Sequence, residues 1–211
     1  MNTIITGFAR QCVAASAVLL ALTVVLGAGY PAAVWAVSRI DSHSAEGAQV
    51  VSRQCDLGSS MIGVDPQVPP GEPDPYLHAR VVGATGEPMA PGDPAASAAS
   101  NKGPGNEELR EWITARRAVV AEREGVRPQQ VPPDAVTASA SGLDPDISPD
   151  YARLQIPRLA RENGRSVAHI QEIIDRHTSG RQWGFLGQPR VNVPAVNLAL
   201  GHAPAACRTP A

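Results

Sequence analysis

Val136-Thr-Ala-Ser-Ala-Ser-Gly-Leu-Asp-Pro-Asp-Ile-Ser-Pro149 packs small residues, one glycine and two prolines into fourteen positions. No ordinary helix or plain strand accommodates such a run. Gly142 opens backbone angles that a Cβ disfavours. Pro145 and Pro149 fix their own φ and push the residue before each toward an extended shape. Ser148-Pro149 reads as an N-cap followed by proline at the first helical position. The stretch is therefore a shaped loop that feeds a helix over 149–162, with Tyr151, Leu154 and Leu159 apolar. Pro157 lies inside that helix, where a proline removes one hydrogen bond and crowds the preceding turn, so a kink or two short helices are expected.

Working outward, Asn106 predicts a second helix start, with Glu107 and Glu108 placed to favour the dipole. Leu109, Trp112, Ile113, Val119 and Val120 recur at helical spacing as a core-facing stripe, and the helix should stop near Gly125. A third helix is expected from Ser166 to about Ser179-Gly180, with Val167, Ile170, Ile173 and Ile174 on one face. Arg190-Val-Asn-Val193 alternates like a strand, and Pro194 opens a closing helix to Leu200. Upstream, Val50–Arg53 and the block Gly58–Gly63 read as strand and turn. Val64–Pro75 holds five prolines and three acidic residues and reads as an extended surface loop. Gly83–Ala99 should be mostly irregular, and residues 201–211 form a disordered tail.

Residues 11–38 contain no charged side chain, with Arg10 before them and Arg39 after. About 20 apolar residues suffice to cross a bilayer as a helix. The expected organisation is a short segment 1–10, a transmembrane helix 11–37, a folded domain 38–200 and the tail. Gly27, Gly29 and Pro31 interrupt the apolar run, and Ala14, Ala17, Ala21 and Ala28 would let another helix approach. A cleaved signal peptide with a site after Ala36 is the competing reading. Arg10 and Arg39 nearly balance, so charge gives little about orientation. The fold class is an α+β soluble domain with short strands and three to four helices, tethered by one N-terminal transmembrane helix.

The formal net charge of −2 argues against a nucleic-acid footprint. Aromatic residues make up only 4%, against 20 prolines and 19 glycines, which predicts a small core and many fixed turns. No phosphate-cradling G-x-x-x-x-G-K-[ST] loop, no phosphorylated-aspartate motif and no H-E-x-x-H occurs. The five histidines are scattered and read as surface residues; His169 and His177 lie eight apart, too far for adjacent metal ligands on one helix. Asp144, Asp146 and Asp150 suit turn and cap roles better than a calcium loop. Ser139 and Ser141 have no nucleophile elbow around them. Cys12 falls in the membrane segment; Cys55 and Cys207 could pair in an exported domain.

Several blocks together resemble one family, the C subunit of the Kdp-type potassium-transporting P-type ATPase. They are the loop Val136–Pro149, Gln155-Ile-Pro-Arg158, Gly187-Gln-Pro-Arg-Val-Asn-Val193, Asn197-Leu-Ala-Leu200 and the serine- and glycine-containing block Ser100–Leu109. Gly27-Ala-Gly-Tyr-Pro31 and Gly58–Gly63 also look like family blocks. Tyr76-Leu-His-Ala-Arg80 keeps the family's arginine, but Val81-Val82-Gly83 departs from what usually follows. The resemblance implies a non-catalytic accessory subunit of an ATP-driven potassium importer in the plasma membrane, single-pass, with its soluble domain outside the cytoplasm. It implies three protein partners: a channel-like potassium-binding subunit, the P-type ATP-hydrolysing subunit and a small single-helix subunit. It also implies a catalytic-chaperone role that raises ATP affinity, with ATP reached through the hydrolysing subunit. Ser139, Ser141, Gly142, Leu143, Asp144, Gln155, Arg158, Gln188 and Asn192 would then form either a rigid partner-contact surface or an internal scaffold of tight turns and satisfied backbone. A stand-alone membrane-anchored binding module is the alternative.

Overall fold

The computed structural model describes residues 2–52, 55–69, 71–80, 89–90 and 92–202, leaving aside the side chains of 2–4, 51–52 and 55–57. The chain divides into two units, Met1–Ala48 and Gln49–Ala211.

The first unit is one unbroken helical run. Helix α1 (Asn2–Val24) passes through a wider π turn (Val25–Gly29) into α2 (Tyr30–Ser38), a 3₁₀ turn (Arg39–Asp41) and α3 (Ser42–Ala45). The interruption expected at Gly27, Gly29 and Pro31 is a change of pitch rather than a break. Pro31 has no N–H to offer the preceding turn. The helix widens there, and the Tyr30 amide donates to the Val25 carbonyl, five residues back. The described side chains of residues 5–36 are exposed all round. The span Ile5–Ala45 is long and apolar enough to cross a membrane.

The second unit begins with an antiparallel hairpin, β1 (Gln49–Ser52) and β2 (Cys55–Ser59). Helix α4 (Glu107–Glu124) starts where the sequence places it: Asn106 Oδ1 accepts from the Leu109 amide at 2.9 Å. It ends at Gly125, whose φ of +67° a residue with a Cβ would adopt only at a cost. A 3₁₀ turn (Pro128–Gln130) and the one-turn α5 (Pro133–Val136) lead into the loop and β3 (Asp146–Ile147). Then come α6 (Pro149–Glu162), α7 (Val167–Arg176), β4 (Thr178–Ser179), β5 (Arg190–Asn192) and α8 (Val193–Leu200). The short strands form an antiparallel sheet in the order β3-β5-β4.

Ser148 Oγ caps α6 through the Tyr151 amide, as expected. Of the kink or two short helices expected around Pro157, the split does not occur: α6 is one uninterrupted helix. Pro157 and Arg153, whose carbonyl loses its donor, are both on the exposed side of the helix. Helix α7 stops at Arg176, short of Ser179-Gly180, because Thr178 and Ser179 pair with β5. Ile170, Ile173 and Ile174 of α7 are buried, but Val167 lies exposed at the edge of the stripe, as Val119 does on α4. The core is aliphatic, built from residues such as Val120, Ala135, Leu159, Ile174, Val191 and Val196 around the ring of Tyr151. The tail beyond His202 lies outside the described residues.

Candidate functional site

Residues 74–80 run through the domain with their main chain held almost entirely by side chains. A buried peptide group must find a partner, and this segment joins no strand. Asn197 on α8 supplies both halves at Leu77: its Oδ1 accepts from the Leu77 amide at 2.7 Å and its Nδ2 donates to the Leu77 carbonyl at 2.9 Å. Gln155 on α6 does the same at His78, accepting from its amide at 2.8 Å and donating to its carbonyl at 3.2 Å. Asp65 accepts from the Ala79 amide at 2.7 Å. Arg158 donates to the carbonyls of Asp74 and Tyr76 at 2.6 and 3.0 Å, and Asn163 donates to that of Pro75 at 2.9 Å. Two primary amides thus mimic a strand partner, each offering one donor and one acceptor.

The clamp is charged as well as amidic. His78 is buried, with Nδ1 3.1 Å from both Asp65 carboxylate oxygens and Nε2 2.7 Å from Asp74 Oδ2. Each ring nitrogen of His78 therefore faces a carboxylate. This corrects the expectation that all the histidines lie on the surface. The guanidinium of Arg158 meets the fully buried Glu124 carboxylate through Nε at 3.0 Å and Gln155 Oε1 through Nη2 at 3.0 Å. Arg123 bridges Glu124 and the Tyr151 hydroxyl, each at 2.8 Å. Burial alone would raise the Asp74 pKa, but the hydrogen bond and charge of His78, with Arg158 and Arg123, pull it down to about 2. Burial pushes the Tyr151 phenol up to about 12, against the pull of Arg123.

The loop 136–149 is fixed by its own hydroxyls and by two arginines, Arg116 at the Val136 carbonyl and Arg80 at its base. Ser139 Oγ accepts from the Gly142 amide at 2.8 Å, and Ser141 Oγ from the Leu143 amide at 3.1 Å. Asp144 Oδ1 accepts from the Asp146 amide at 3.0 Å, the Asx-turn role expected of it. Arg80 leaves the clamped segment and closes the loop's base: Nη1 meets Asp144 Oδ2 at 2.9 Å, and Nη2 donates to the carbonyls of Thr137 and Ala138 at 3.2 and 3.1 Å. Gly142 takes a φ of +72°. Above it, the Gly63 amide donates to the Leu143 carbonyl, and a Cβ on Gly63 would sit 2.4 Å from the Asp144 carbonyl oxygen. Ser141 also accepts, through its carbonyl, from Ala98 N and Ser97 Oγ.

The candidate residues therefore separate. Gln155 and Arg158 are buried in the clamp, and Ser139, Ser141, Gly142, Leu143 and Asp144 build the adjoining loop. Asn192 joins strands: its Nδ2 donates to the Ser60 carbonyl and to Asp146 Oδ1, while its Oδ1 caps α8 through the Ala195 amide. Gln188 stands apart on an exposed hairpin, accepting from Arg181 Nη2 at 2.8 Å. Asp65, Asp74, His78 and Glu124 belong to the clamp without any local signal in the sequence. A Pro-rich loop and a solitary histidine give no hint of partners that far along the chain. The pairing considered for Cys55 and Cys207 lies outside the described residues.

Among the described residues no group of three or more His, Cys, Asp or Glu is placed to hold a metal ion. The loop's two serine hydroxyls face their own backbone amides, and the buried charges face one another. What this arrangement supplies is shape: a rigid segment locked to a rigid loop. A family model described as "KdpC: K+-transporting ATPase, c chain" matches residues 12–202. A potassium-transporting ATPase KdpC subunit of Kineococcus radiotolerans is 42% identical over 206 residues, 96% of this chain and 99% of its own length. Those of Streptomyces avermitilis and Geobacter sulfurreducens are 39% and 38% identical, over 95% and 86% of this chain and 97% and 92% of their own.

Proposed function

The chain belongs to the KdpC family of potassium-transporting ATPase c chains, and from that premise we propose that its folded domain works as a rigid brace for the pump's larger subunits. It is a non-catalytic accessory subunit of a P-type ATPase complex, anchored by a single N-terminal apolar helix and associated with the complex's larger subunits. In this reading residues 11–37 cross the plasma membrane and 38–200 lie on the extracytoplasmic side. The helix packs on the channel-like potassium-binding subunit, and the domain caps that subunit's outer mouth. The ATP-hydrolysing subunit and a small single-helix subunit complete the assembly.

One observation carries this reading: an apolar helix is joined to a domain whose buried amide and charged side chains bond its own backbone and one another. Such a body contributes surface and stiffness rather than chemistry. The Gly142 and Leu143 amides, which a nucleotide phosphate would need, already bond to Ser139 and Ser141. Any influence on ATP affinity is therefore assigned to contact with the hydrolysing subunit. Co-expression with the other subunits, with the affinity tag on this chain, tests the proposal. The complex should co-purify, and removing residues 1–48 should release the domain. A full-length chain that purifies alone while the other subunits assemble and transport normally would contradict it.

A further inference from the structure

The hairpin between β4 and β5 carries side chains that the brace does not use. Its tip is Arg181-Gln-Trp-Gly-Phe-Leu-Gly-Gln188. Gln182 and Leu186 exchange two backbone hydrogen bonds of 2.9 Å each, which closes the tip into a small fixed loop. Within it the Phe185 amide donates to the Gln182 carbonyl, and Trp183 and Gly184 take φ of +52° and +82°. Positive φ at both central residues is the pattern of a type I′ turn, a place for asparagine or glycine. A tryptophan there is strained, and strain of this kind collects at sites of recognition.

The strained tryptophan also points at nothing within the domain. Trp183 is 85% exposed, Phe185 68% and Leu186 42%, and Trp183 is the most exposed large apolar side chain among the described residues of the folded unit. Along the segment itself the charge has one sign. Residues 180–191 contain Arg181 and Arg190 and no acidic residue. Arg190 is paired with Asp146 at 2.9 Å, whereas Arg181 bonds only to the neutral Gln188 among the described residues. Aromatic rings beside arginines are the composition of segments that sit at a membrane–water boundary.

The polypeptide supplies such a boundary itself. The candidate membrane span ends at Ala45 and β1 begins at Gln49, so the folded domain is tethered to a bilayer. A convex tip with three projecting apolar groups suits a soft, deformable boundary, which asks for no preformed pocket. We propose that the tip 181–188 is a bilayer-docking element: Trp183, Phe185 and Leu186 enter the headgroup–acyl boundary, and Arg181 sits on an anionic lipid headgroup. The inference goes beyond the accessory role and needs only that the chain is membrane-anchored.

The test uses the full-length chain reconstituted in phosphatidylcholine vesicles with and without phosphatidylglycerol, compared with the same chain in detergent. Tryptophan emission of the wild type minus that of Trp183→Gly isolates Trp183 from Trp35 in the helical run and Trp112 in the core. In vesicles that difference signal should shift to shorter wavelength, lose most of its quenching by iodide and gain quenching by brominated lipid. Phosphatidylglycerol should strengthen all three changes, and Arg181→Gln should remove that increment. Phe185→Ser should weaken the lipid quenching while leaving Trp183 in place to report it. Trp183→Gly relieves the left-handed strain, so its fold should be at least as stable as the wild type, which separates lost docking from lost folding. A Trp183 signal equally open to iodide in vesicles and in detergent overturns the proposal. If the signal is then shielded only once the other pump subunits are present, the tip docks in a protein pocket instead.

Discussion

Residues 74–80 and residues 181–188 use opposite halves of the amino-acid alphabet in the wrong places. The first segment brings His78 into the core against two aspartates and calls Arg158, Glu124, Gln155 and Asn197 in after it. The second holds Trp183 and Phe185 out in water on a closed turn. A buried polar group is tolerated only when every bond it loses to water is replaced. The clamp meets that condition through bonds that reach from residue 65 to residue 197. An exposed aromatic pair meets no such condition inside the domain. The contrast separates what the domain needs in order to fold from what it offers to its surroundings.

The sharpest way to break the contrast is to remove one charge from the clamp. Arg158→Ala leaves Glu124 with Arg123 alone and two carbonyls without their donor, and loss of one partner of a buried pair costs about 3–5 kcal/mol. Urea unfolding of the full chain in detergent should show the midpoint of the folded domain falling by that equivalent or the domain failing to fold. The same alanine at Arg181 should leave the midpoint unchanged.

A smaller effect follows from Asp74. Its carboxyl is held down to about 2 in the folded state, below the ordinary aspartate value of 3.8. The folded state therefore binds the proton more weakly than the unfolded one. The stabilisation is present above about pH 4 and is lost as pH falls toward 2. Allowing for its partial exposure, about 1–2 kcal/mol should disappear across that window. Asp74→Asn should flatten this part of the stability profile; an unchanged acid limb would mean that the His78–Asp74 contact contributes nothing.

The smallest effect lies at the tip and has the opposite sign. Trp183→Gly should raise stability by about 1 kcal/mol at most, the left-handed strain released less the added freedom of the unfolded chain. Destabilisation on thermal unfolding would show that the indole packs on the domain after all.

Local signals marked where the main helices start. Asn106, Ser148 and Ser166 each cap the helix that follows, because a cap involves only residues three apart; Asn192 caps α8 in the same way, two residues before the start expected at Pro194. The loop 136–149 was readable for the same reason: its serines and Asp144 bond to amides two or three positions on. Distance along the chain limited the rest. Gln155 finds His78 at a separation of 77 residues, and Asn197 finds Leu77 at 120, with no periodic pattern to announce either pair. Pro157 does not split α6, because the cost of an interior proline depends on which side of the helix faces water, and that is a tertiary property. The end of α7 shifted because two residues paired with β5 rather than continuing the helix.

Amide hydrogen exchange at Leu77 and His78, read beside Gly184 and Phe185 in the same sample, tests the central claim most directly. If side chains of α6 and α8 truly replace a strand partner, the first two amides exchange only through global unfolding, in the slowest class of the domain. The tip amides should exchange through local opening, well before them. Leu77 and His78 exchanging as fast as the tip would contradict the clamp and, with it, the picture of a rigid brace.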